Sequence, residues 1–355
     1  MKTYIGIIIA ALVTIISDIL SRYIGINIMG FSRSPISPIM VSLVTGFLLS
    51  NLYNKVKDFN SGFLICIDYF LKIGIIFLGI RLSLFQILQH SFSAFVLILP
   101  GIIISLSLVF LLSDRFKLSK SLASLIAVGT SICGVSAIVA LGPSINAKKE
   151  EITFAVANIT LFGLASMFIY PFLSNYLFNS DLRMIGLFLG SSIHDTAQVI
   201  GAAKMHQDIY LNDIVLNLSM VVKLLRNSLM IFVIPALIIY NSTEREYKKI
   251  SFNKIIKLFP AFIIGFIVFG LFRTLGDYIF ISPTNHNVVM SEYWITIIGT
   301  IQYSGNYLIA ISMSAIGLNT NYNLIKNIGF SPLIFSFIVA STVGLSSYLM
   351  IIFII

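Results

Sequence analysis

Charge is what this chain has least of. Lys and Arg number 23 and Asp and Glu 14 in 355 residues, so 10% of the chain is charged, against roughly 25% in soluble domains. That shortage excludes a water-covered globular surface. Cysteine is almost missing: Cys66 and Cys133 both sit in apolar text, which rules out a disulfide framework or a cysteine metal cluster. Of the four histidines, His90, His206 and His286 fall near loops without ligand spacing, so no metal is expected. Long basic runs are absent too. The cations are scattered through short loops, and no nucleic-acid partner is expected despite a net charge of +9.

What fills the chain instead is hydrocarbon. It is 57% hydrophobic with a mean hydropathy of +0.98, and apolar runs of membrane-spanning length recur throughout. The expected fold is an all-α polytopic membrane protein in one integral membrane domain, 1–355, with repeat-like pieces around 61–176 and 184–355. The runs predict spans at 3–22, 36–53, 61–84, 91–113, 119–142, 151–176, 184–204, 211–240, 254–280, 293–318 and 330–355. That makes eleven, or ten if 184–204 is re-entrant. The first reads as a retained span, since it has no small-residue cleavage site. Loop cations divide thirteen to seven in favour of the side that holds Lys2, which predicts a cytoplasmic N-terminus.

The stretch Leu125–Glu151 interrupts this pattern. Its middle reads Gly129-Thr130-Ser131-Ile132-Cys133-Gly134-Val135-Ser136. Each helix-interior Gly costs about 1 kcal/mol relative to Ala, and the hydroxyls compete for backbone. Open backbone inside a membrane survives only where protein or a wet cavity covers it. A span weakened at its midpoint therefore predicts a discontinuous helix beside a polar site. Gly190-Ser191-Ser192-Ile193-His194-Asp195 repeats the motif, so two discontinuous helices and an inverted-repeat architecture are expected. A weaker echo pairs Ile76–Arg81 with Met313–Asn319.

Several ionisable groups lie within the spans. Asp68 and Lys72, one turn apart, read as a self-neutralising pair. Lys223 and Arg226 lie three residues apart on one face, deep in 211–240, and ionisable groups at such depth mark function by default. His194 and Asp195 are adjacent, Asp195 shares a helical face with Gln198, and His194 and Asp195 can both change protonation during a transport cycle. Together these predict a cavity lined by Gly129, Thr130, Ser131, Gly134, Ser136, Ser191, Ser192, Lys223 and Arg226. Hydroxyl donors and full positive charge suit it to a small anion, with His194, Asp195 and Gln198 handling a coupling proton or ion. The same residues also allow sodium/proton exchange, with Asp195 as the cation site. An integral-membrane enzyme is the lesser alternative. Its only paired acids, Glu150 and Glu151, read as a helix start.

The segments GTSICGVSAIVALGPSINAKKEEITFAVANITLFG, GSSIHDTAQVIGAA and VVKLLRNSLM resemble the bacterial inner-membrane family that includes YeiH, often labelled sulfate exporters. LGIRLSL at 78–84 and AIGLNTN at 315–321 fit it too. The resemblance implies a place in the cation:proton antiporter and bile-acid transporter superfamily, with inverted repeats and crossing broken helices. It also implies export of a small oxyanion such as sulfate or an organic sulfonate, and no enzymatic activity. The partners expected are a small inorganic or organic anion, a coupling proton or sodium ion and the lipid bilayer. A homodimer is allowed, and no cofactor is expected.

Overall fold

The structure is a computed structural model that describes residues 2–28, 38–52, 58–241, 261–281, 288–320 and 330–354. Outside them fall 254–260 of the ninth predicted span, residues 36–37 and 53 of the second, Ile355, Asn321 and His286. The loop cations Arg33, Lys55, Lys57, Arg245, Lys248, Lys249, Lys254, Lys257 and Lys326 also lie outside the described residues.

Among the described residues every regular element is a helix. Helix α1 (Lys2–Arg22) runs on as a π-helix to Ile28, and α2 covers Pro38–Leu52. A π segment joins α3 (Asn60–Ile65) to α4 (Leu71–Leu78), and a 3-10 turn, Gly79–Arg81, closes the latter. Next come α5 (Leu84–Ser113), α6 (Lys120–Ser131), α7 (Val135–Leu141), α8 (Lys149–Leu177), α9 (Leu182–Ser192) and α10 (Thr196–Tyr210). The rest are α11 (Ile214–Ser228), α12 (Met230–Asn241), α13 (Ala261–Phe280), α14 (Val288–Asn319) and α15 (Phe330–Ile354).

Each predicted span has its helix or helix pair. Seven described helical stretches are long and apolar enough to cross a membrane. The predicted total is larger by four: 119–142 and 184–204 are each divided into two short helices, α2 has only 15 residues, and α14, which covers 293–318, is long but not among the seven. The span 211–240 is also jointed, at Leu229, between α11 and α12. One expectation fails: Asp68 and Lys72 are both exposed and no ion pair joins them.

Helix ends follow their capping chemistry. The Ser119 hydroxyl accepts the Leu122 N–H at 3.2 Å to open α6, and the Asp181 carboxylate accepts Arg183 and Met184 N–H groups at 2.9 and 3.0 Å to open α9. Glu151 accepts the Lys148 N–H at 3.0 Å and hydroxyl protons from Ser119 and Ser121. The paired acids thus begin α8, and Glu151 ties that start to the start of α6.

The chain forms two compact units. One comprises 1–89, 204–212 and 261–322. Here α2 packs most extensively on α14, where Gly46 and Gly317 let backbones meet: a Cβ on Gly317 would lie 2.2 Å from the Leu43 carbonyl oxygen. Thr14 and Ser314 share a 2.7 Å hydrogen bond between α1 and α14. The other unit comprises 90–203, 213–260 and 323–355. In it α9 lies close along α11, with Ser219 Oγ donating to the Gly186 carbonyl at 3.0 Å.

Candidate functional site

The second unit contains two breaks, and they correspond residue for residue. Helix α6 ends at Ser131 and α9 at Ser192; after three residues, Ile132–Gly134 and Ile193–Asp195, α7 begins at Val135 and α10 at Thr196. This is the register of the repeated motif. The breaks touch: Gly134 has φ +70°, and a Cβ on it would lie 2.7 Å from Asp195 Oδ2. Only glycine tolerates both that backbone region and that approach. Gly134→Ala is expected to lower the thermal midpoint of the purified protein by an amount equivalent to at least about 1–3 kcal/mol. An unchanged midpoint would mean that the junction is loose.

Below the breaks stands α11 with both cations turned inward. Lys223 is 1% and Arg226 3% exposed. Lys223 Nζ donates to the carbonyls of Ile132 and Ile193, each at 3.0 Å, and to that of His194. Three carbonyls converging on one Nζ are the set of acceptors that an ammonium, with its three donors, satisfies. Arg226 donates through Nε to the Ser131 carbonyl at 2.7 Å, through Nη1 to that of Ser191 at 2.5 Å, and through Nη2 to that of Thr130. The terminal carbonyls of α6 and α9, each end worth roughly half a negative charge, thus meet full positive charges in place of water.

Negative charge sits at the opposite ends. Asp195 caps α10: its carboxylate accepts the Ala197 N–H at 2.9 Å while the Gln198 side chain accepts the Asp195 N–H at 3.3 Å. Val135 N–H, the first of α7, faces the same carboxylate. Asp195 and Gln198 therefore cap the start of α10 reciprocally, as in a capping box but with the carboxylate on the N2 rather than the N3 N–H. Gln198 also donates to the Thr160 carbonyl at 3.4 Å and fills the space left by Gly163.

His194 is 1% exposed, and neither ring nitrogen has a hydrogen-bond partner. The Thr130 carbonyl faces the ring without closing a bond.

The structure brings Thr130, Ser131, Ser191, Ser192, His194, Asp195, Lys223 and Arg226 to this junction, but not in the manner expected. The predicted hydroxyl donors are already committed. Thr130 donates to Ile126 and Ala127, Ser131 to Ala127, Ser191 to Leu187, and Ser192 to Phe188, all carbonyls of their own helices. With no water competing, the preceding turn is the nearest acceptor. Ser136 is exposed on α7 and stands apart from the network. Gly129 is a packing residue, where a Cβ would meet Ile138 and Ile159 at 2.9 and 3.0 Å.

Sequence reasoning passed over Ser105, Thr196, Asn227 and Met230. Ser105 of α5 lies 3.2 Å from Thr130 Oγ1, and Asn227 donates to Thr196 Oγ1 at 2.9 Å. The Cys133 thiol lies 3.8 Å from the Met230 sulfur. Asn227 sits one residue past Arg226 on the same inward run, which was the available signal. A cavity of about 10 Å³ beside Arg226 and Ser191, lined also by Gly101 and Ser347, has room for one water.

These features define a class: an all-α, multi-pass membrane protein built around two helices broken at corresponding points and pinned by buried cations. The chain belongs to the family described as Conserved hypothetical protein 698, whose model matches residues 5–336. The family that includes YeiH is this same family. A UPF0324 membrane protein of Streptococcus agalactiae is 31% identical over 330 residues, covering 93% of this chain and 91% of its own. Another, from Clostridium tetani, is 28% identical across 98% of this chain and 96% of its own. A third, from Fusobacterium nucleatum, is 32% identical over 85% of this chain and 86% of its own. No solved structure matches the chain.

Proposed function

We infer that the chain is a secondary active transporter, and not an enzyme, which moves a small oxyanion such as sulfate or an organic sulfonate together with a proton. The observation that supports this most directly is charge. At the junction two buried cations, Lys223 and Arg226, stand against one carboxylate, Asp195. The excess of one positive charge has no counter-ion there, and an uncompensated charge away from water is expensive. An arriving monovalent anion cancels it. A divalent anion cancels it when Asp195 takes up a proton, because the two cations then face two negative charges. The small cavity beside Arg226 and Ser191 corresponds to a closed state, and entry requires α5 and α15 to part from Arg226.

A proton fits the coupling role better than sodium. In transporters with broken helices, the carbonyls at half-helix ends are the usual sodium ligands, and here Lys223 and Arg226 occupy them. Labelled sulfate and alkanesulfonate flux into proteoliposomes is therefore expected to follow an imposed pH gradient and to be unchanged when potassium replaces sodium. Absence of flux for every oxyanion, with intact inserted protein, overturns the reading.

The runner-up is cation/proton antiport. In its favour, Asp195 and Lys223 act on each other electrostatically across the junction, as an exchanging carboxylate and its counter-charge would. A pH change inside vesicles upon adding sodium or potassium, without any anion, selects it. The outward direction of transport and the bacterial inner membrane rest on the family resemblance, and the cytoplasmic N-terminus rests on the loop cations.

A further inference from the structure

A cavity opens within the unit that contains α1, α2 and α14. It measures about 470 Å³ and is walled by α1, α2, the end of α10 and α14. Two ion pairs line it. Arg22 lies 2.9 Å from Asp18, and Lys204 lies 2.8 Å from Asp208. Tyr303 and Tyr307, with ring centroids 4.8 Å apart, complete one wall.

Helix pairs at this spacing commonly neutralise themselves, but the pairing here is incomplete. Asp208 is 8% exposed; its Oδ1 accepts from Lys204, while its Oδ2 is buried and has no hydrogen-bond partner. A buried carboxylate oxygen without a donor is costly, and Asp208 belongs to the wall of a cavity large enough for a small organic molecule. The guanidinium of Arg22 is well exposed, with its Nε and Nη2 turned to Asp18. The wall thus offers an acceptor that lacks a donor, a cation with donors to spare, and aromatic faces that favour an ammonium. Its formal charges cancel, so a bare anion or a bare cation would upset the balance. A molecule carrying both charges would not.

We propose that this cavity binds a small zwitterion of the amino-acid type. Its primary ammonium donates to the Asp208 carboxylate beside the Tyr303–Tyr307 pair, and its carboxylate or sulfonate meets Arg22. A quaternary ammonium cannot satisfy Asp208, since it has no N–H. Arg22 and Lys204 fall on the same side in the loop count, opposite the N-terminus, so the ligand arrives from that face.

The test is titration calorimetry on the purified full chain in detergent, with glycine, β-alanine and 4-aminobutanoate as probes. Acetate, methylammonium and glycine betaine serve as controls. At least one probe is expected to bind with a Kd of about 1 mM or tighter, and each control at least tenfold more weakly. Asp208→Asn and Tyr307→Leu, checked for monodisperse elution, should each weaken that probe tenfold or more. If Asp208→Asn does not fold, Tyr307→Leu decides. Absence of binding by all three probes, binding of the controls equal to theirs, or unchanged affinity in the folded variants overturns the proposal and leaves a water-filled vestibule. The measurement uses no gradient, so its failure is separate from failure of the oxyanion flux that tests the junction.

Discussion

Lys223→Met is expected to abolish gradient-driven flux and to destabilise the protein at the same time. Methionine matches the length of the stem but donates nothing, so the carbonyls of Ile132, Ile193 and His194 lose the donor they share. Each buried carbonyl left unpaired costs about 1–3 kcal/mol, and removing one partner of a buried charge arrangement typically costs about 3–5 kcal/mol. The thermal midpoint in detergent should fall by an amount equivalent to at least about 3 kcal/mol, with flux reduced a hundredfold or more. Lys223→Arg keeps the charge and the donors and should recover much of the stability, though its planar fork fits three divergent carbonyls poorly. If Lys223→Met melts like the parent, the ammonium is not what holds the broken helices together. Depth in the apolar run alone would lead one to expect loss of transport from a folded protein. The carbonyl cage adds the stability loss.

That difference shows what a sequence can and cannot display. The spans were legible because hydrocarbon length leaves a long apolar run in the letters. Both breaks were legible because the motif at Gly129–Gly134 recurs at Gly190–Asp195, and the structure ends and restarts the helices in the same register. The inward burial of Lys223 and Arg226 followed from their depth, but their partners did not. These are main-chain carbonyls, which any residue supplies, so no letter announces them. The hydroxyl roles were misjudged for a related reason. Ser131 and Ser192 look like donors for a ligand until their own preceding turns are counted as competitors. Asp195 and Gln198 are different, because their arrangement was written out. Asp-Thr-Ala-Gln is a capping-box spacing, hidden because the segment reads first as one continuous apolar span. Ser136 falls on a seven-residue helix, too short for periodicity to say which way it faces.

Asp195→Asn should separate coupling from transport. Asparagine is as good a helix cap as aspartate, and its carbonyl oxygen can still accept the Ala197 N–H. Little stability should therefore be lost beyond the cost of turning an amide toward Val135. What changes is charge: the junction keeps Lys223 and Arg226 without an opposing carboxylate, the condition that protonation of Asp195 would create. In the parent protein, with the membrane potential clamped and one proton accompanying each divalent anion, one unit of pH gradient represents about 1.4 kcal/mol. It should accumulate sulfate roughly tenfold in the more alkaline compartment. The variant should still pass sulfate down its own gradient, because the cations that receive it remain. It should accumulate none in response to pH, since the site that gains and loses the proton is gone. Retained pH-driven accumulation would move the coupling group elsewhere, with His194 the nearest candidate, buried at the same junction with both ring nitrogens unpartnered. Complete loss of anion flux together with loss of cation-induced proton movement would instead identify Asp195 as the exchanging carboxylate of an antiporter. The carbonyl-bound lysine beside it would then be its counter-charge.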